Sequence, residues 1–166
     1  LGELEALAAL ATFAAEHPDA VYPTLSGGDP ALEAEGVAHP LLPVAAAVGN
    51  DVALGGAAPH LVIVSGSNMS GKSTYLRAIG VNVVLAQAGA PVCARAMRLT
   101  PLVPAGTLRV QDSLQSGQSR FFAEITKLRQ IVDLARAPGG AGTLFLIDEL
   151  LAGTNSHDRQ QGAAGV

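Results

Sequence analysis

The chain predicts an α/β domain: a mostly parallel central sheet flanked by helices, with an extra helix at the N-terminus. Three observations carry this. Residues 61–64 (LVIV) are a short apolar, mostly β-branched run, the pattern of a buried strand, and they lead through a glycine-rich turn into a helical pattern over 73–88. Residues 143–147 (TLFLI) are a second fully apolar strand, ending in Asp148-Glu149. The composition is rich in Ala, Gly, Leu and Val, with four Phe, two Tyr and no Trp, which suits packed helices and sheet better than a β-sandwich.

Taken in order, residues 1–16 form an amphipathic helix with Leu4, Leu7 or Ala8, Ala11 and Ala14 or Ala15 on one stripe, stopped near His17-Pro18. It reads as a packing helix or as the end of a long arm, and residues 1–18 are set apart from a single domain over 19–166. Residues 20–43 are punctuated by Pro23, Gly27-Gly28, Pro30, Gly36 and Pro40 and read as loop with one short strand. Residues 44–48 and 52–54 read as strands around a turn at Gly49-Asn50-Asp51. The 73–88 helix carries Val81, Val84, Leu85 and Ala88 as apolar residues; beyond it, 92–94 begin a strand-like section, and 97–103 and 107–110 are further strand candidates. Residues 111–119 (QDSLQSGQS) are a polar loop. The helix over 120–137 carries Phe121 or Phe122, Ile125, Leu128, Ile131 or Val132 and Ala135 as its apolar face, and residues 153–158 form a turn and cap leading to a last helix.

A net charge of −4 gives no basic footprint, so strong direct binding of DNA or RNA by this segment is not expected. The single cysteine, Cys93, excludes an internal disulfide and fits a reducing compartment. No apolar run reaches membrane-spanning length and no signal-peptide pattern is present, so a cytoplasmic location is expected. The chain starts at Leu1 and stops at Val166 within a newly started helix, and it is expected to be a piece of something longer, incomplete at its C-terminal end.

The turn after residues 61–64 is Gly66-Ser67-Asn68-Met69-Ser70-Gly71-Lys72-Ser73, which fits G-x-x-x-x-G-K-[ST] at every fixed position, with Thr74 following. Gly66 and Gly71 let the backbone curl so that successive amides face one concavity, and the helix start adds partial positive charge. Such a seat suits the β-phosphate of a nucleotide. Lys72 is placed to reach the β- and γ-phosphates, and the Ser73 hydroxyl to ligate Mg²⁺. An acid at the carboxyl end of a buried strand is what holds Mg²⁺ in such domains, a role for Asp148, while Glu149 is the natural general base for hydrolysis. Lys72 and Asp148 must then share one magnesium–nucleotide complex. His39, in the His39-Pro40 turn, is a candidate neighbour of the nucleotide base.

Four stretches together resemble the ATPase domain of the MutS family, the DNA mismatch-repair ATPases and their relatives, itself related to ABC-type P-loop ATPases. GSNMSGKSTYLR (residues 66–77) is similar to the family's GPNMxGKSTxxR. Ser-Gly-x-Ser-x-Phe at 116–121, with Glu124 behind it, is similar to the family's loop before a helix. LFLIDELLAGTNSHD (144–158) matches its apolar run, Asp-Glu, Gly-Thr and Asp. GVAHPLLP followed by Gly49-Asn50-Asp51 resembles its approach to the domain. The resemblance implies ATP and Mg²⁺ as ligands and ATP sandwiched between two such domains. It implies a homodimer, or a pairing with a related subunit, that would close on ATP and be released by hydrolysis. It also implies that Asn68 binds phosphate, that Ser119 approaches the γ-phosphate of the facing subunit, and that Asp158 lies at the dimer interface. DNA is expected to be held by regions outside this chain. Ser67 replaces the usual Pro, Ser70 a small Ala or Gly, and Ala47 a frequent aromatic, variations closer to MutS relatives that lack a mismatch-reading domain. The position of a family histidine near the γ-phosphate is not encoded, so weak hydrolysis is expected of this chain alone. The alternative to an ATPase is a nucleotide-gated dimerisation module with little hydrolysis of its own.

Overall fold

The computed structural model of the chain describes residues 1–67, 69–108, 120–137 and 141–148, which fall in two compact units, Leu1–Leu102 and Val103–Val166. The first unit opens with α1 (Gly2–Glu16), whose first turn carries Glu3 and Glu5, complementing the partial positive charge of a helix start. The span matches the sequence expectation, but no residue of α1 is buried, and Leu4 and Leu7 remain exposed. The helix is fastened at its C-terminal end. The His17 ring stacks on Phe13 with centroids 4.2 Å apart, and its Nε2 lies 3.1 Å from the Pro40 carbonyl oxygen.

Four strands, β1 (Thr24–Leu25), β2 (Ala31–Val37), β3 (Asn50–Gly55) and β4 (Ala96–Leu99), form one sheet in the order β1-β4-β2-β3. Only the β1–β4 pair is parallel. β2 runs antiparallel to β3, with Leu32 opposite Leu54, and to β4, with Leu32 opposite Leu99. The sheet is therefore mixed, which corrects the expectation of a mostly parallel one. The physical reason lies in the connection from β2 to β3, which holds turns and no helix, whereas parallel neighbours need a crossover that is normally helical.

The segment read as loop with one short strand over 20–43 supplies two, β1 and the inner strand β2. ALEAEGV alternates: Leu32, Ala34 and Val37 point into the core, while Glu33 and Glu35 are exposed, as is Arg98 opposite Glu33. The face bearing those charges is solvated, so the picture of a sheet covered by helices on both faces does not hold in this unit. Residues 44–48 form no strand either. The Ala46 and Ala47 amides both bond to the Pro43 carbonyl, at 2.8 and 3.0 Å, a single helical turn favoured by proline at its start and three alanines after it.

α2 (Lys72–Gln87) covers the apolar face of the sheet by packing on β2. Ile79, Val83 and Ala86 are buried at i, i+4 and i+7 with Ala78 beside them, not the face of Val84 and Ala88, which are exposed, and burying Ile79 and Val83 is worth about 1.5–3 kcal/mol each. Two amide side chains fix the helix along its length. Asn82, fully buried, donates to the Ala38 carbonyl at 2.9 Å and the Ala78 carbonyl at 2.8 Å, and accepts the Cys93 amide at 2.7 Å. Gln87 pairs with the backbone of Leu102 at two points, donating to its carbonyl at 2.8 Å and accepting its amide at 2.9 Å.

The second unit is described by β5 (Leu102–Gly106), which starts at the last residue of the first unit, by α3 (Arg120–Ala135) and by β6 (Gly142–Leu146). β5 and β6 form a two-stranded sheet, and Thr107 N donates to the Leu146 carbonyl at 3.1 Å. α3 packs on β6, burying Leu128 and Ile131 with Leu144 and Leu146. Both elements fall where the sequence put them. β6 alternates rather than burying every side chain: Phe145 is half exposed between two buried leucines. Among the described residues no helix is long and apolar enough to cross a membrane.

Candidate functional site

The glycine-rich loop and the start of α2 form one compact structure. Gly71 caps the helix in the left-handed region, φ +89°, a conformation that glycine adopts without strain. A side chain there would meet open space, so backbone conformation rather than crowding selects glycine. At Gly66 a Cβ would stand 2.9 Å from Ser70 Oγ, an exposed hydroxyl that can rotate aside. Met69 also takes a left-handed backbone, φ +66°, with its side chain wholly exposed. A non-glycine residue in that region stores on the order of 1–2 kcal/mol of strain, a device found at functional turns.

Lys72 bends back over this loop. Its Nζ donates to the Gly66 carbonyl at 2.9 Å and the Ser67 carbonyl at 2.7 Å, closing the loop into a ring. The first intrahelical bond of α2 runs from Tyr75 N to Gly71 O at 2.9 Å, which leaves the amides of Lys72, Ser73 and Thr74 at the open end of the helix. No acidic side chain lies in that first turn to compete for them. Amides, helix dipole and one ammonium thus converge on an exposed loop, the makings of an anion seat. Ser73 is half-buried beside it.

The strand read before the loop is absent. Residues 61–64 join no sheet, and Leu61, Val62 and Ile63 are exposed. The strands of this unit complete their own sheet without it. β-branched character marks a segment that fits a sheet but does not supply the neighbour.

The other candidates are placed as follows. His39 lies in a turn held from both sides: Asn82 donates to the Ala38 carbonyl, and the Leu41 amide donates to His39 Nδ1 at 3.2 Å. That turn therefore sits beside the middle of α2, about 15 Å along the helix axis from Lys72 at 1.5 Å per residue. Asp148 lies two residues past the end of β6, in the second unit, half-buried. Asn68, Ser119, Glu149 and Asp158 lie outside the described residues. No cluster of His, Cys, Asp or Glu that could hold a metal occurs among the described residues. Cys93 is free and part-buried, and burial pushes its thiol pKa above the ordinary value, as expected of an unactivated cysteine.

Sequence reasoning missed a cluster beside the loop. Tyr75 Oη donates to the Asp51 carbonyl at 2.8 Å, and the Asp51 carboxylate accepts the Gly36 amide at 2.7 Å and Arg95 Nη2 at 3.2 Å. The signals were a Gly inside an alternating strand and an Asp opening the next one, neither of which names a partner far along the chain.

Comparison with known proteins gives this geometry a family. Residues 62–165 match the family model described as MutS domain V. The chain is 35% identical over 144 residues to the DNA mismatch repair protein MutS of Fusobacterium nucleatum, covering 83% of this chain and 15% of that protein. It is 37% identical over 161 residues to DNA mismatch repair protein MutS 2 of Halobacterium salinarum, covering 95% of this chain and 18% of that one. Against Msh6 of Gallus gallus it is 39% identical over 113 residues, 68% of this chain and 8% of the relative. The chain thus spans less than a fifth of the length of these relatives. With the domain model matched over more than half of its residues, the chain belongs to the MutS family of DNA mismatch repair proteins.

Proposed function

We propose that this chain is the nucleotide-binding part of a MutS-like DNA mismatch repair ATPase. The observation that carries the reading is the ring formed by Gly66, Ser67 and Lys72 at the amide-rich start of α2. A nucleotide triphosphate would replace two backbone carbonyls as the partner of Lys72 Nζ, gaining charge-assisted bonds in exchange for neutral ones. Ser67, Asn68, Met69, Ser70, Gly71 and Thr74 would line the phosphates, and His39 would approach the base.

Ser73 and Asp148 both offer hard oxygen donors of the kind Mg²⁺ takes, and both side chains are only half-buried. When bound, the metal would neutralise charge on the β- and γ-phosphates. Glu149 would take the proton from the attacking water. Ser119 of a second subunit would complete the site, making ATP a bridge that favours a closed dimer, either of identical subunits or with a related ATPase. ADP would release it. DNA contact is assigned to regions outside this chain.

The test is ATP turnover by a longer chain that continues past Val166. Lys72→Ala and Glu149→Gln should each lower turnover at least a hundredfold, since each removes transition-state charge stabilisation or proton transfer. Turnover retained in both would overturn the assignment.

A further inference from the structure

The first turn of α2 carries the amides and the lysine of the loop, yet every buried residue of the helix lies from Ala78 onward. Apolar packing therefore holds the middle of α2 and leaves its loop end to other contacts. Tyr75, in that first turn, reaches across to the sheet, and its hydroxyl donates to the Asp51 carbonyl at 2.8 Å.

The acceptor is itself fixed. Between Ala34 and Val37 the β2–β3 register shifts, and Gly36 there has φ +62°. Such a bulge leaves an amide unpaired by the ladder. The Asp51 carboxylate takes it, at 2.7 Å. Arg95 closes over the same spot: its Nη2 lies 3.2 Å from Asp51, its own amide donates to the Glu35 carbonyl at 2.8 Å, and a Cβ on Gly36 would stand 2.5 Å from its Nη1. The Arg95–Asp51 pair is about two-thirds exposed on both sides and adds little energy; the Gly36 bond does the fixing.

We infer that Tyr75 is a positioning residue for the phosphate loop, tying the first turn of α2 to a carbonyl that the Asp51 carboxylate locks onto the β2 bulge. Without that tether the first turn would be free to fray, and a triphosphate would have to order the amides of Lys72, Ser73 and Thr74 on arrival. The cost would fall on affinity for phosphate rather than on the fold. Burial and the nearby Asp51 charge raise the phenol pKa, which keeps the hydroxyl a donor through the neutral range.

This inference rests on the nucleotide reading of the loop, and the experiment separates the two. Binding of a fluorescent ATP analogue and of inorganic tripolyphosphate, both with Mg²⁺, is measured well below the melting temperature for the wild-type chain, Lys72→Ala, Tyr75→Phe and Asp51→Ala. Expected are tight binding by wild type, loss in Lys72→Ala, and a roughly three- to tenfold weaker Kd for both ligands in Tyr75→Phe and in Asp51→Ala, the worth of one hydrogen bond. A purely structural tether would lower the melting temperature of Tyr75→Phe and leave both Kd values at the wild-type level, which overturns the inference alone. Equal binding by wild type and Lys72→Ala, or none by wild type, overturns the nucleotide reading and the inference with it.

Discussion

Lys72 Nζ lies 2.7 Å from the Ser67 carbonyl oxygen, so the ammonium is held by the carbonyls of its own glycine-rich loop. The bond is exposed and joins a charge to a neutral oxygen, a partner that a phosphate outcompetes. Lys72→Ala is therefore expected to remove ATP affinity while changing the urea midpoint by less than about 0.5 kcal/mol equivalent, the usual size for an exposed substitution. Parallel binding and denaturation curves check both halves.

Asn82 is expected to be the most sensitive polar residue of the first unit. It is fully buried and serves the Ala38 carbonyl and the Cys93 amide. Asn82→Ala strands these groups and leaves a gap, at a cost of about 2–4 kcal/mol. Asn82→Leu fills the volume but still strands them, so it should rescue little. Equilibrium urea unfolding measures the difference.

Alkaline pH should weaken the fold in a defined window. Burial raises the Cys93 thiol above its usual 9.0, and burial with the Asp51 charge raises the Tyr75 phenol above 10.0. Above those values the unfolded chain has released protons that the native chain still holds. The stability these groups carry is complete below the unfolded values and is lost as pH climbs through the raised native ones. Their contribution should be flat below about pH 8 and fall from about pH 9 upward. Cys93→Ala should remove the earlier part of the fall and Tyr75→Phe the later part, read from thermal melts across pH.

Thr107 offers a substitution in the stabilising direction. Its side chain is buried in the second unit and its hydroxyl finds no partner among the described residues. Thr107→Val swaps an unpaired hydroxyl for a methyl of like shape, and is expected to leave stability unchanged or raise it by up to about 1 kcal/mol. Calorimetry reads this directly.

The parts legible in the sequence were those set by local pattern. α2 and α3 stand where helical patterning put them, but their buried faces were read only in part: α2 buries Ile79, Val83 and Ala86 while Val84 and Ala88 are exposed, and α3 buries Leu128 and Ile131 while Ile125 and Ala135 are exposed. The turn at Gly71 was legible because glycine is the residue that takes φ +89° without strain. β2 was readable too, in the alternation of Leu32 and Ala34 with Glu33 and Glu35, but prolines and glycines around it read as loop. What no local pattern carries is pairing. Residues 61–64 have the character of a strand and no sheet to join in their unit, and of the antiparallel partners of β2, both later in the chain, β4 arrives only after α2. The Tyr75–Asp51 bond has the same cause: a hydroxyl in a helix and a carbonyl in a strand meet only once the sheet exists.

The most direct test of the nucleotide reading is amide hydrogen exchange over residues 66–74 with and without ATP and Mg²⁺. Slowed exchange concentrated on Ser70, Gly71, Lys72, Ser73 and Thr74, and lost in Lys72→Ala, is the expected result. Exchange unchanged by ATP in this loop at saturating concentration, or slowed equally in Lys72→Ala, would contradict it.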